Sequence, residues 1–300
     1  RHFLVILVIG VLSTHPETIA DIHRRMDFAR VTSAVKLLHS FHNIHIHLDL
    51  IAGLPFEDLT TFQCSFNDVY DLCPQQLQLG FLKVLKASRM EQCAPEYDLV
   101  YTSQPPYEVL STKWLSFDEI CLLKQIEELV EIYYNSGQFS HTLEFLRPYF
   151  LTTFAMYESL AYWYETHDLF GIQSSRLRKY EILYEFAVSH IRTCSNADEQ
   201  AAALKEYLVY DLYLREHMKN RPSFCFSLEQ WKSKIHDLLH QEAETHSIFP
   251  FLSAYSYREL TKALHAEIFR FIFDKPVIML FCYHRRDPLT NNCMTFITEL

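Results

Sequence analysis

The spacing of apolar residues along the chain shifts from strand-like to helical. Residues 4–11 form one continuous apolar run (LVILVIGV), the pattern of a strand buried on both faces. Pro16 then opens a helix to about Arg24, with Thr14 and Glu17 spaced as a capping box around it. Asp27 is placed to cap a second helix, in which Phe28, Val31, Val35 and Leu38 recur at 3-4-3 spacing. A second strand is expected over 44–52. The next helix is expected over 57–72, with Leu59, Phe62, Phe66 and Val69 on its buried face and Pro74 beyond its end. Residues 76–85 (QLQLGFLKVL) alternate and predict a third strand. The order strand–helix–strand–helix–strand implies parallel strands joined by crossovers. Three such strands alone leave both sheet edges open. The fold class expected is therefore α/β, a partial (β/α) barrel with parallel strands, in a chain that starts mid-domain.

Residues 91–115 mix Pro, Tyr and apolar residues and predict an ordered connector. Beyond it the period is helical. Ser116 and Glu119 form a capping box, Ile120, Leu123, Ile126, Leu129, Val130 and Tyr133 make the buried stripe, and Gly137 stops it. Further helices are expected at about 139–165, 175–193, 197–219, 228–245 and 256–270. A short strand over 277–284 (VIMLFCYH) and the polar segment RRDPLTNN follow Pro276. The domains implied are 1–90, a connector over 91–115, and a mainly α-helical domain over 116–300 with a short C-terminal strand.

Composition narrows the class. Hydrophobic residues make up 49% and charged residues 21%, which fits a packed globular protein. Five glycines and 15% aromatics favour helices and large side-chain cores over turn-rich sheet. A net charge of −10 disfavours nucleic acid as a partner. The apolar segment FLVILVIGVL (3–12) is too short to span a bilayer. Eight cysteines include no C-x-x-C pair, so they read as reduced thiols of a cytoplasmic protein. No P-loop, dinucleotide glycine fingerprint or G-x-S-x-G motif is present.

The stretch HIHLDLIAGLPFED (45–58) holds the richest chemistry. Gly53 permits a tight turn or close approach of backbone to a ligand, and Pro55 stiffens the exit. Glu57 and Asp58 read as helix-start acids that favour the helix dipole. His45 and His47 share one strand face, and with no third ligand at suitable spacing they read as rim histidines rather than a metal site. The aromatic stripe from Tyr133 to Tyr164 reads as core. Arg285, Arg286 and Asp287 read as a turn before Pro288 in preference to an anion site.

The ordered set of segments carries a resemblance. DLIAGLPFED (49–58), preceded by HIH and followed by SFNDVYDLCPQQLQLGFLKVLKASRM (65–90), resembles the second half of the catalytic barrel of radical S-adenosylmethionine enzymes. IGVLSTHPETIADIHRRMDF (9–28) is similar to the preceding strand-and-helix unit. The segments PPYEVLSTKWLSFDEI (105–120), EIYYNSGQFSHTLEFL (131–146) and HRRDPLTNN (284–292) resemble the helical domain of unknown function that follows this barrel in a branch with an N-terminal cobalamin-binding domain. The resemblance implies a radical methylation or rearrangement of a small-molecule substrate. It implies S-adenosylmethionine, a [4Fe-4S] cluster and cobalamin as cofactors of the parent protein. The cluster-binding C-x-x-x-C-x-x-C loop, the first barrel half and the cobalamin domain would lie outside this chain, which alone should be inactive. The residues carried over to the cofactor are Gly10, Ser13, Ile51, Gly53, Leu79, Gly80 and Phe81, with no metal ligand and no catalytic residue assigned. The family usually reads E-I-G-V-Q-S where this chain has Val8-Ile9-Gly10-Val11-Leu12-Ser13. The aliphatic Val8 and Leu12 keep a second expectation in view, a non-catalytic helical interaction module on a degenerate barrel half.

Overall fold

In the computed structural model, which describes residues 4–192, 196–218 and 221–300, the apolar run at the start of the chain forms β1 (Val5–Leu12). Helices α1 (Pro16–Asp21) and α2 (Phe28–His39) lead to β2 (Ile44–Ala52), and α3 (Leu59–Tyr70) leads to β3 (Gln76–Phe81). The three strands are parallel, in the order β1-β2-β3. They form an open sheet; among the described residues no strands close into a barrel.

Period-2 alternation gives this sheet two unlike faces. Ile46, Leu48, Leu50 and Ala52 of β2 are buried, with α2 and α3 lying against the strand. His45, His47, Asp49 and Ile51 point the other way and stay half-exposed. Within α3, Phe62, Phe66 and Val69 fill the core as their spacing predicts. Asp27 caps α2 by accepting the Arg30 N–H, and Asp58 caps α3 by accepting the Thr61 N–H. The capping box expected at Thr14 and Glu17 does not form. His15 is the N-cap residue of α1, and the Thr14 hydroxyl donates to Asp68 instead. β3 ends at Phe81, earlier than its alternation suggested, because Lys83 turns to bridge Glu108.

The stretch expected to be an irregular connector contains α4 (Arg89–Cys93) and a small hairpin of β4 (Val100–Tyr101) and β5 (Val109–Ser111). Arg89 donates to both carboxylate oxygens of Asp21, and the Tyr97 hydroxyl donates to the same carboxylate at 2.7 Å. The Ser116–Glu119 capping box starts α5 (Phe117–Leu129), and its predicted stripe is fully buried. A π-helical turn, Val130–Asn135, continues α5. The single helix expected over 139–165 is interrupted around Pro148, which cannot supply an N–H to a continuing helix. The pieces are α6 (Ser140–Leu146), a 3₁₀ turn Arg147–Tyr149, and α7 (Thr153–Thr166).

The chain divides into two compact units, Arg1–Gly137 with Phe150–Phe170, and Gln138–Tyr149 with Gly171–Leu300. The aromatic stripe is shared between them. Tyr133, Phe154, Tyr157 and Tyr164 are buried in the first unit and Phe139 in the second, while Tyr162 is exposed.

In the second unit α6 joins α8 (Arg176–Ile191), α9 (Ala197–Arg215), α10 (Lys232–Thr245) and α11 (Tyr257–Ala263). The helix expected over 256–270 is only half helical, since residues 264–269 form β6 (Leu264–Phe269). LHAEIF alternates, and antiparallel pairing with β7 (Val277–Arg286) gives its two faces different surroundings. The expected polar segment after residue 284 is the turn to a further strand, β8 (Cys293–Glu299). Asp287 shapes that turn by accepting the Leu289 and Thr290 N–H groups. Arg286 donates to the Asn291 carbonyl, and Arg285 lies over the Phe251 ring. Three buried acids in this unit accept backbone N–H groups, while a fourth, Glu267, is met by the side chains of Arg221 and His265. Glu206 accepts the Arg270 and Phe271 N–H groups, Asp211 that of Thr142, and Glu242 those of Ile248 and Phe249.

The seven described cysteines are thiols and not disulfides; Cys194, like the last residue of the helix expected over 197–219, lies outside the described residues. Among the described residues no helix is long and apolar enough to cross a membrane.

Candidate functional site

Ligand sites in parallel α/β sheets form where strands end and their loops diverge. At that end of this sheet lies a groove of about 550 Å³. Leu12, Asp49, Ile51, Gly80, Phe81 and Lys83 line it from the strands and their exits, and Glu108, Lys124 and Glu127 from the hairpin and α5. Lys124 pairs with Glu108 and stands 4.2 Å from the Phe81 ring centroid, a cation–π contact that holds its charge at the wall. Burial raises the Glu127 carboxyl above its ordinary value, and Glu131 adds to the rise.

The open sheet face continues this polar lining. Asp49 Oδ1 lies 2.9 Å from His47 Nε2. Burial lifts the Asp49 carboxyl, while His47 pulls it back down. Burial and then His47 depress His45, against a hydrogen bond with Gln76. Gly10 is the register partner of Asp49 on β1. Arg24 Nη1 lies 3.7 Å from where a Cβ on Gly10 would stand, which brings a guanidinium to the sheet beside Gly10. Arg24 also lines a second cavity of about 710 Å³, with Thr14, Ile19, Arg25, Asp27 and Arg30.

The residues assigned to the cofactor separate into two groups. Ile51, Leu79, Gly80 and Phe81 line the groove, and Gly10 lies beside it on β1. Ser13 and Gly53 are buried and engaged in structure. Gly53 has φ +86°, and a Cβ there would stand 2.7 Å from Val109 Cγ1. Both the turn and the packing of β5 require glycine at this position.

Ser13 leads to a residue that sequence reasoning misplaced. Its hydroxyl donates to Glu57 Oε1 at 2.6 Å, and the Ser65 hydroxyl donates to the same oxygen at 2.8 Å. Glu57 is fully buried. It is therefore not a helix-start acid; Asp58 alone has that role, and Glu57 ties the exit of β1 to α3. Burial lifts the Glu57 carboxyl from 4.5 to about 7, with the two serine donors opposing the rise and Asp58 adding to it. Its Oε2 is buried without a hydrogen-bond partner. The signal that could have found it is the register: Glu57 precedes the Asp58 cap, so its side chain is not bound to the helix end.

The described residues contain no group of three or more His, Cys, Asp and Glu side chains arranged to hold a metal ion. His45 is hydrogen-bonded with Gln76, and His47 Nε2 meets Asp49 Oδ1 as a close contact without hydrogen-bond geometry.

A three-stranded parallel sheet with a groove at its strand ends, joined to a largely helical second unit with a small antiparallel sheet, defines a mixed α/β protein. A model of the family described as Protein of unknown function (DUF4080) matches residues 95–280, and the chain belongs to that family. No curated protein matches the chain.

Proposed function

We propose that the parallel sheet supplies staves of a larger (β/α) barrel, and that the chain is part of a radical S-adenosylmethionine enzyme, cobalamin-dependent, acting on a small molecule by radical methylation or rearrangement. One observation carries this reading: the sheet has a polar open face and, on one side, an apolar edge strand exposed to solvent. Ile6 and Val8 of β1 are 66% and 56% exposed. Ile6 and Val8 are in register with His45 and His47 and share the open face, so closure of the sheet by further strands would enclose them together with His47, Asp49 and Gln78. Partners in this reading are the other barrel half and a cobalamin-binding domain, in a reducing, cytoplasmic setting.

The groove fits S-adenosylmethionine in part. An amino acid zwitterion needs one anion and one cation; Asp49 lines the groove, and Arg24, which lines the second cavity, comes close to Gly10, the register partner of Asp49. Ile51, Gly80 and Phe81 offer an apolar wall for a flat base. The described residues offer no set of three or more His, Cys, Asp and Glu side chains to hold an iron–sulfur cluster, so the cluster would have to be bound by the other barrel half. When bound, S-adenosylmethionine supplies the reactive group; this chain's residues would hold and orient it.

A second reading is favoured by Val8 and Leu12, where the resembled family has Glu and Gln. Leu12 lines the groove with an aliphatic side chain at φ +67°. On this reading the chain is a non-catalytic helical interaction module on a degenerate barrel half. The two readings separate in the full gene product, reconstituted anaerobically with iron and sulfide. Release of 5′-deoxyadenosine supports the enzyme, and its lack in a cluster-loaded sample supports the module. Val8→Glu with Leu12→Gln should raise S-adenosylmethionine affinity; an unchanged value removes those positions from the cofactor site.

A further inference from the structure

We propose that His236 and His240 on α10 form a site for a late first-row divalent ion of the Cu²⁺ or Ni²⁺ class, with two imidazole nitrogens as protein ligands and water in the remaining positions. The two residues are spaced i, i+4, which places them one above the other on one helix face. Their ring centroids are 4.3 Å apart, close enough for one ion to reach a nitrogen of each. Ile235, Leu238 and Leu239 of α10 pack against the core cluster around Leu260 and Leu264, so the helix is anchored by residues other than the histidines.

The rings are also held from α11. His240 stacks on Tyr257 at 3.9 Å between centroids and 19° between planes, and the same tyrosine meets His236 edge-on at 6.0 Å. One tyrosine thus restricts both imidazoles, which lowers the ordering cost of chelation. Asp237 Oδ1 lies 3.7 Å from His236 Nδ1. The Asp237 carboxylate puts a negative charge beside the pair, which favours a cation there. The His236 side chain is 60% exposed, so an ion reaches it without unfolding.

The donor set decides the class of ion. Imidazole suits copper, nickel and zinc, and the order of affinities peaks at Cu²⁺. Structural zinc requires four protein ligands, whereas two nitrogens with open positions suit tetragonal Cu²⁺ or Ni²⁺. His45 and His47 share a strand face but are a poorer pair, because His45 is hydrogen-bonded with Gln76 and His47 Nε2 faces Asp49 Oδ1 at 2.9 Å.

The test is titration of the untagged full chain with Cu²⁺, followed by calorimetry and electron paramagnetic resonance. One site with two nitrogen ligands is expected, and His236→Ala or His240→Ala should weaken it by at least about tenfold. Tyr257→Ala should weaken it less, and the pair His45→Ala and His47→Ala should leave it unchanged. Unaltered affinity and stoichiometry in a doubly substituted chain, His236→Ala with His240→Ala, would overturn the proposal. A second measurement needs no variant: Cu²⁺ should protect both histidines from diethylpyrocarbonate, read by peptide mass mapping. Equal modification with and without the ion would also overturn it.

Discussion

At one edge of the parallel sheet, β3 is closed by a side chain. Asn135 Oδ1 accepts the Leu77 N–H and Asn135 Nδ2 donates to the Leu77 carbonyl, both at 2.9 Å. The amide thus supplies the donor and acceptor that a neighbouring strand would supply. Tyr134, the residue before it in the π-helical turn, donates its hydroxyl to the Pro74 carbonyl beside the same strand. At the other edge, β1 presents Leu4, Val5, Ile6, Leu7 and Val8 to solvent with no such cover among the described residues. Edge strands that remain exposed usually carry charge, proline or a bulge. Here five successive aliphatic residues carry none of these until the bulge after Gly10. The difference teaches that the two edges have different purposes: one ends the sheet, and the other is chemically suited to continued pairing.

The largest effect should come from the residue that holds the exit of the open edge strand. Glu57→Ala leaves the buried hydroxyls of Ser13 and Ser65 without their acceptor and should cost about 3 kcal/mol in urea unfolding. The same carboxyl makes stability depend on pH. Its folded value near 7 lies above the ordinary 4.5, so the folded protein keeps a proton that the unfolded chain releases. That contribution is complete below pH about 4.5 and is lost as pH rises through about 7, a fall of about 3 kcal/mol. Glu57→Gln should flatten the profile across this window; an unchanged slope would show that another group controls it.

A smaller effect is expected where the closed edge is opened. Asn135→Ala strips Leu77 of both partners and should cost about 2 kcal/mol, measured as the shift in urea midpoint at constant m. If stability is unchanged, water replaces the amide fully and the edge is less finished than its geometry implies.

The smallest effect on stability should come from the open edge itself. Ile6→Lys replaces an exposed side chain and should change stability by no more than about 0.5 kcal/mol. Its consequence should appear in association. The parent chain should self-associate with rising concentration in sedimentation velocity, and the lysine variant should remain monomeric. A monomeric parent at high concentration would count against an edge poised for pairing.

Much of this architecture was legible before any coordinates. The parallel strands followed from their order, α3 from its apolar spacing, and α5 from its apolar spacing and its capping box. The 256–270 segment misled because its apolar residues fit a helical period before they fit an alternating one. Only pairing with β7 decides in favour of a strand. The groove was half legible: Ile51, Gly80 and Phe81 lie on it, whereas Ser13 and Gly53 are committed to Glu57 and to packing against Val109. Arg24 was hidden because nothing local shows that a guanidinium after α1 returns to Gly10.

The order of elements, the caps at Asp27, Asp58 and Ser116, and the polar–apolar alternation of β2 were written into the sequence by itself, because they rest on interactions between residues within a few positions of each other. Which acid is buried, which glycine serves packing, and which sheet edge is closed were decided only in three dimensions. Those outcomes join residues 44 to 58 positions apart, as in Ser13 with Glu57 and Leu77 with Asn135. Burial and hydrogen-bond satisfaction at such distances depend on how the helices pack, and no local pattern encodes them.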